Sequence, residues 1–299
     1  MIDLPYGVNI NNLIDDLRNI SWEAADILLG YSCLIKDTSY KNQIIKSKEN
    51  EDPVTLADLK VNELIIKRIK EKYKYIDWEI LSEENVKIES NHCNTNADWL
   101  WVLDPLDGTR DFIQSTGNYA MHLALNYKHR PYIGIILIPE KDELWISIGE
   151  KFWGENRDRT FLDFKNSNQK ELSEMTLVTS KNHKNEQLKK LIDKVNFKNV
   201  KVMGSVGCKV ASIIRGESDI YISLSLPMQS SPKDWDFASP EAVLRASGGA
   251  ITNLDNEDLI YNKKSFEQSG IIIASNNREN HHKICHDLKD IIRKYNILT

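Results

Sequence analysis

The chain has 299 residues, 41% of them hydrophobic and 28% charged, with a net charge of −5. That length exceeds what one core comfortably fills and implies two domains or one large layered unit. The negative balance excludes a general nucleic-acid binder, which needs a basic face; an anionic small substrate fits only if metal ions or a few lysines meet its charge locally.

The first thirty residues carry Asp3, Asp15, Asp16, Glu23 and Asp26 without a basic segment leading into an apolar one, so no signal peptide is expected. The longest apolar runs, such as IGIILI at 133–138, fall far short of the roughly 20 residues that span a bilayer. Cys33, Cys93, Cys208 and Cys285 form no C-x-x-C pair, which suits a reducing compartment and a thiol-free mechanism. A cytoplasmic protein is expected.

Leu13, Ile14, Leu17, Ala24, Ile27 and Leu28 recur at helical spacing and predict a helix from residue 9 to about 35. After a polar gap ending at Pro53, Leu56, Val61, Leu64, Ile65 and Ile69 mark one face of a second helix. DWEILSEE reads as a short strand leading into acids, and DWLWVLDP as a strand stopped at Pro105, which cannot donate to a ladder. YAMHLALNY, YIGIILIP and ELWISIG form a strand meander rich in β-branched and aromatic residues. A polar stretch from about 155 to 172 follows, and domains of 1–165 and 166–299 are expected. Beyond it, EMTLVTS and NVKVMGS read as strands around a helical NEQLKKLIDKV. KVASIIRG predicts a helix, DIYISL a strand, ASPEAVLRASGG a helix closed by Gly248, GIIIAS a strand, and residues 279–295 a terminal helix. The expected fold class is therefore a layered α+β or α/β sandwich.

Carboxylates stand at several element ends. In DPLDGT, Asp104 and Asp107 close an apolar strand, Gly108 removes a side chain where a ligand could approach, and Thr109 adds a hydroxyl. Hard cations such as Mg²⁺ want oxygen ligands at about 2.1 Å, and one carboxylate can bridge two of them. Each acid also has a local explanation. DPLDGT can be a turn. Glu83 and Glu84 can sit in a solvated loop, Thr55 and Asp58 can form a capping box, and Asp236 can cap a helix. The combination of strand-end acids, a distant helix-start Asp and a Thr with an Asp to orient water matches a two-metal hydrolase site.

These motifs, V-T-x-A-D, S-E-E, D-P-x-D-G-T with a following F, and W-D-x-A, occur in order from about residue 45 to 275. Together they resemble the inositol monophosphatase superfamily of Mg²⁺-dependent, lithium-sensitive phosphatases. The resemblance implies an αβαβα architecture with about two or three Mg²⁺ ions between the domains. It implies that Glu83, Asp104 and the Leu106 carbonyl hold one ion, that Asp104, Asp107 and Asp236 hold another, and that Asp58 and Thr109 orient and deprotonate the attacking water. The N–H groups of Gly108 and Thr109 would receive the phosphate.

Within the superfamily, DGTRDF, WDFASPEAVLRASGG, SKNH and GSVGCK are most similar to 3′(2′),5′-bisphosphate nucleotidases. Those enzymes remove the 3′-phosphate of 3′-phosphoadenosine 5′-phosphate (PAP), a by-product of sulfate assimilation. That likeness implies that Ser180, His183, Ser205 and Lys209 bind the nucleotide, in a monomer or homodimer with no nucleic-acid or membrane partner. Ser239 departs from the usual Ala, and the Ser205–Cys208 loop varies among relatives. The alternatives are an inositol monophosphatase or sugar bisphosphatase with the same metal site, a 3′-exonuclease on short oligonucleotides, and a non-catalytic phosphate-binding protein. The His- and Cys-bearing HHKICHD is read as a solvated amphipathic helix, since no second ligand pair accompanies it.

Overall fold

The computed structural model describes residues 2–47, 54–88, 96–165, 169–180, 186–226 and 231–298. Cys93, His183 and the first residues beyond the expected boundary, 166–168, lie outside the described residues. In chain order, α1 (Ile10–Ile35), α2 (Thr38–Ile44), the short hairpin β1 (Ile45–Ser47) with β2 (Val54–Thr55), and α3 (Leu56–Lys72) lead into β3 (Glu79–Ser82) and α4 (Glu83–Ile88). Next come β4 (Trp99–Asp107), α5 (Thr109–Ile113), β5 (Ala120–Tyr127), β6 (Arg130–Ile138), β7 (Glu143–Ile148) and β8 (Lys151–Glu155). The remainder holds β9 (Thr176–Thr179), α6 (Glu186–Val195), β10 (Asn199–Val202), α7 (Val206–Ile214) and β11 (Ile220–Ser225). It closes with α8 (Asp234–Ala246), β12 (Ala250–Asn253), β13 (Gly270–Ser275) and α9 (Arg278–Lys294).

β3 to β8 form a six-stranded sheet in chain order, parallel between β3 and β4 and antiparallel beyond. β10-β9-β11-β13-β12 form a mixed five-stranded sheet. Side chains alternate across each strand, and that alternation separates three cores. Trp101, Leu103, Leu123 and Leu125 face Leu13, Leu17, Val61 and Ile65 of α1 and α3. Leu100, Val102, Ala124 and Ile136 point the other way, toward Val210 of α7, Phe237 and Val243 of α8, and Tyr221 and Ile272 of the second sheet. Leu177, Ile220 and Ile273 on the outer face of that sheet pack on Leu188 and Leu191 of α6 and Leu288 of α9. The order is helix, sheet, helix, sheet, helix, as the sequence implied. Every residue of β4 is buried because helices cover both of its faces.

Three expectations are corrected. β4 does not stop at Pro105 but runs on to Asp107, with a register shift between Asp104 and Asp107. Asp104 pairs with His122 and Asp107 with Ala120, so three steps on β4 oppose two on β5. One extra residue is a β-bulge, where a proline is tolerated. α7 begins at Val206 and α8 at Asp234, each earlier than the apolar spacing indicated. The terminal helix is not solvated on the face carrying His281 and Cys285. His281 is buried between the hydroxyls of Ser275 (2.7 Å) and Thr252 (2.8 Å), while His286 stays exposed.

Candidate active site

The bulge in β4 explains how two acids three residues apart can act together. In a regular strand, residues three apart point to opposite faces. The extra residue returns Asp107 to the face that carries Asp104, because their partners Ala120 and His122 are two apart. β3 lies parallel to β4 with Ser82 opposite Leu103, so the next residues, Glu83 and Asp104, emerge side by side.

Helix starts converge on the same end. Asp58 is the third residue of α3, Thr109 the first of α5 and Asp236 the third of α8; α7 begins against Asp107. The positive ends of these helices favour carboxylates there. One ligand oxygen from each of Asp104, Asp107 and Asp236 lies within 4.8 Å of the others. Glu83 is not in that trio; it abuts Asp104 and takes Lys87 Nζ at 2.8 Å.

The local explanations hold, and they leave a second oxygen on each of these carboxylates. Asp58 Oδ2 accepts from Thr55 N (2.8 Å) and Thr55 Oγ1 (2.6 Å), completing the capping box, while Oδ1 lies 3.4 Å from Thr109 Oγ1. Asp236 Oδ2 accepts from Lys233 N at the start of α8. Asp107 Oδ2 accepts from Ser205 Oγ (2.7 Å) and from the first N–H groups of α7, Val206 and Gly207. Thr109 Oγ1 also lies 3.0 Å from the Leu106 carbonyl, so its single hydrogen faces two acceptors.

Gly108 has φ +86, and a Cβ there would meet the Asn118 carbonyl at 2.9 Å. A side chain is thus excluded by conformation and by space.

Burial and crowding disfavour ionisation of the acids. Burial, then the charges of Glu83, Asp107 and Asp236, hold the Asp104 carboxyl well above the usual carboxylate range. Burial and Asp107 do the same to Asp236, and burial with Glu84 raises Glu83. Asp58 is pushed up to about 7, chiefly by burial. All the crowded ligand atoms are oxygens, which is the set a hard divalent cation takes, and bound cations would relieve the repulsion that adds to burial in raising these acids.

The residues proposed to hold substrate fall into two groups. Ser180 follows β9, half-buried, with its side chain against the Tyr221 hydroxyl. Ser205 and Lys209, expected to contact substrate, lie behind the acids with their polar atoms engaged inside the protein. The Ser205 hydroxyl donates to Asp107 and accepts from Cys208 N (3.1 Å) as the N-cap of α7. Lys209 is fully buried; its Nζ donates to the Gly204 carbonyl (2.6 Å) and sits 5.0 Å over the Tyr221 ring. The helix register of α7 turns Lys209 inward, which the short sequence window concealed.

His122 is a participant the sequence reading missed. It is buried on β5, with Nδ1 3.3 Å from the Trp235 carbonyl and Nε2 3.3 Å from Asp107 Oδ2. A histidine among the small and apolar residues of YAMHLALNY was the available signal.

A model of the inositol monophosphatase family matches residues 14–293. A 3'(2'),5'-bisphosphate nucleotidase CysQ from Buchnera aphidicola is 28% identical over 275 residues, covering 88% of this chain and 98% of that protein. The Nus factor SuhB of Pasteurella multocida is 26% identical, covering 76% and 79%. Among solved structures, an IMPase from Thermotoga maritima superposes with a TM-score of 0.71 at 18% identity, covering 95% of this chain and 99% of the other. At that identity the superposition establishes the fold.

Proposed function

The chain belongs to the inositol monophosphatase family, and on that premise we propose that it is a Mg²⁺-dependent phosphatase that hydrolyses the 3′-phosphate of PAP, and also of its sulfated relative PAPS. The observation that carries the reading is the largely buried Asp104–Asp107–Asp236 trio, with the Asp58–Thr109 pair beside it. The likeness to CysQ nucleotidases supports the nucleotide as substrate.

In this proposal Glu83, Asp104 and the Leu106 carbonyl hold one ion, and Asp104, Asp107 and Asp236 another. Bound Mg²⁺ would neutralise the phosphoryl oxygens, acidify the attacking water and stabilise the leaving alkoxide. With the Leu106 carbonyl engaged, the Thr109 hydrogen is left to Asp58. Thr109 Oγ1 then accepts a proton from water as its own passes to Asp58 Oδ1, while the Thr55 contacts hold the carboxylate in place. The N–H groups of Gly108 and Thr109 receive the phosphate, and Ser180 and His183 hold the nucleotide.

One observation favours a second reading, an inositol or sugar phosphate. Two of the four residues on which the nucleotide assignment stood, Ser205 and Lys209, have their polar atoms bound inside the protein. Phosphate release from PAP, inositol 1-phosphate and fructose 1,6-bisphosphate in parallel decides between the readings. Preference for PAP, lost in Asp104→Asn, is the expected result. Preference for either other ester would remove the nucleotide assignment and keep the metal site.

A further inference from the structure

We infer that His122 is a positioning residue for the acid site, seated in the space left by Gly207 and anchored at the start of α8 with its ring against Asp107, so as to set the spacing of Asp107 and Asp236. The inference rests on the metal-site reading above.

Asp107 and Asp236 lie on elements 129 positions apart in sequence (236 − 107), so their spacing depends on what packs between β4 and α8. His122 touches both. Its strand pairs with β4, and its Cα partner is Asp104 itself. Nδ1 lies 3.3 Å from the carbonyl of Trp235, the residue before Asp236; a carbonyl only accepts, so this contact requires the Nδ1 hydrogen. Nε2 lies 3.3 Å from the Asp107 oxygen that also receives the start of α7, without a well-aligned hydrogen bond. The ring therefore fills and spaces the gap at Asp107 while anchored at Trp235.

Gly207 shows that the ring's place is built in. A Cβ at 207 would fall 2.3 Å from His122 Nε2 and 2.9 Å from the Ile136 side chain. The second residue of α7 must lack a side chain for the imidazole to reach Asp107, and the same residue's N–H, 3.3 Å from Asp107 Oδ2, points at that carboxylate. An alanine at 207 and a wrong side chain at 122 thus disturb one point from two sides.

The test is calorimetric titration with Mn²⁺ of the wild type, His122→Leu, Gly207→Ala and the double variant His122→Asn/Gly207→Ala, with thermal melting and the Mg²⁺ half-saturation of phosphate release alongside. Partners of metal ligands typically alter metal affinity about 10- to 100-fold. His122→Leu and Gly207→Ala are each expected to weaken Mn²⁺ binding about 10-fold while the proteins remain folded. The double variant is expected to bind better than Gly207→Ala alone, because Asn makes room for the methyl group and keeps a donor for the Trp235 carbonyl. Mn²⁺ affinity unchanged in either folded single variant would overturn the inference and leave the metal site standing. A wild type that binds no Mn²⁺ would overturn the metal site and the inference together.

Discussion

The two banks of the site differ in how closely like charges crowd. On the bank built by β3, β4 and α3, the acids crowd one another, and burial with mutual repulsion keeps Asp104 and Glu83 from ionising freely. On the bank built by α7, Ser205 and Lys209 are as deeply buried, yet each has a partner inside the protein. Like charges crowded in a buried site favour a bound cation, whereas a buried polar group paired inside the protein supports the residues around it. Asp236 and Asp107 join the banks, each giving one oxygen to a helix start while its carboxylate belongs to the trio.

The largest effect should come from relieving the crowded bank. Asp104→Asn removes the carboxylate shared by both proposed ion sites and should lower phosphate release about 10³-fold, the scale of losing a group aimed at transition-state charge. It should also raise the melting temperature of the metal-free protein, since one repelling charge is gone. A lower metal-free melting temperature would break the contrast between the banks.

Asp58→Asn should lower kcat about 10²-fold, as for loss of a positioned base, with Mn²⁺ affinity near wild type. A parallel loss of Mn²⁺ binding in calorimetry would move Asp58 from proton transfer into the ligand set.

Stability against pH sharpens the comparison without mutation. The folded protein holds the Asp58 proton up to about 7, against 3.8 for an ordinary Asp. Between those values the folded state binds more protons than the unfolded one, so metal-free stability should fall as pH rises through that window. Melting curves from acidic to mildly alkaline pH should show this decline, and saturating Mg²⁺ should flatten it. A metal-free protein that gains stability over the same range would contradict the assignment.

The smallest effect belongs to the satisfied bank. Ser205→Ala removes the N-cap of α7 and should cost about 1 kcal/mol in denaturant unfolding while leaving KM for PAP unchanged. Ser180→Ala should do the reverse, raising KM with little change in stability. A KM increase in Ser205→Ala would return that residue to the substrate.

Much of this was legible where local pattern and final structure agree. α1 and α3 carry their apolar stripes on the faces that pack on the sheet, and Asp104 and Asp107 converge with Asp236, far along the chain, as the motif order implied. What was hidden depended on partners distant in sequence. Pro105 looked like the end of a strand, but pairing with β5 absorbs it in a bulge. Lys209 looked like a free point charge until α7 turned it under Tyr221. His122 acquires meaning only through Trp235 and Gly207, 113 residues away in one case and on another helix in the other. β8 and β12 have no counterpart among the elements expected from the sequence.

The central claim is that the acid trio is a divalent-cation site, and the most direct test is anomalous scattering from crystals grown with Mn²⁺. The account predicts a strong anomalous peak among the carboxylates of Asp104, Asp107 and Asp236, with a second beside Glu83 and Asp104. Crystals with Mn²⁺ present and no peak between those three carboxylates would contradict it.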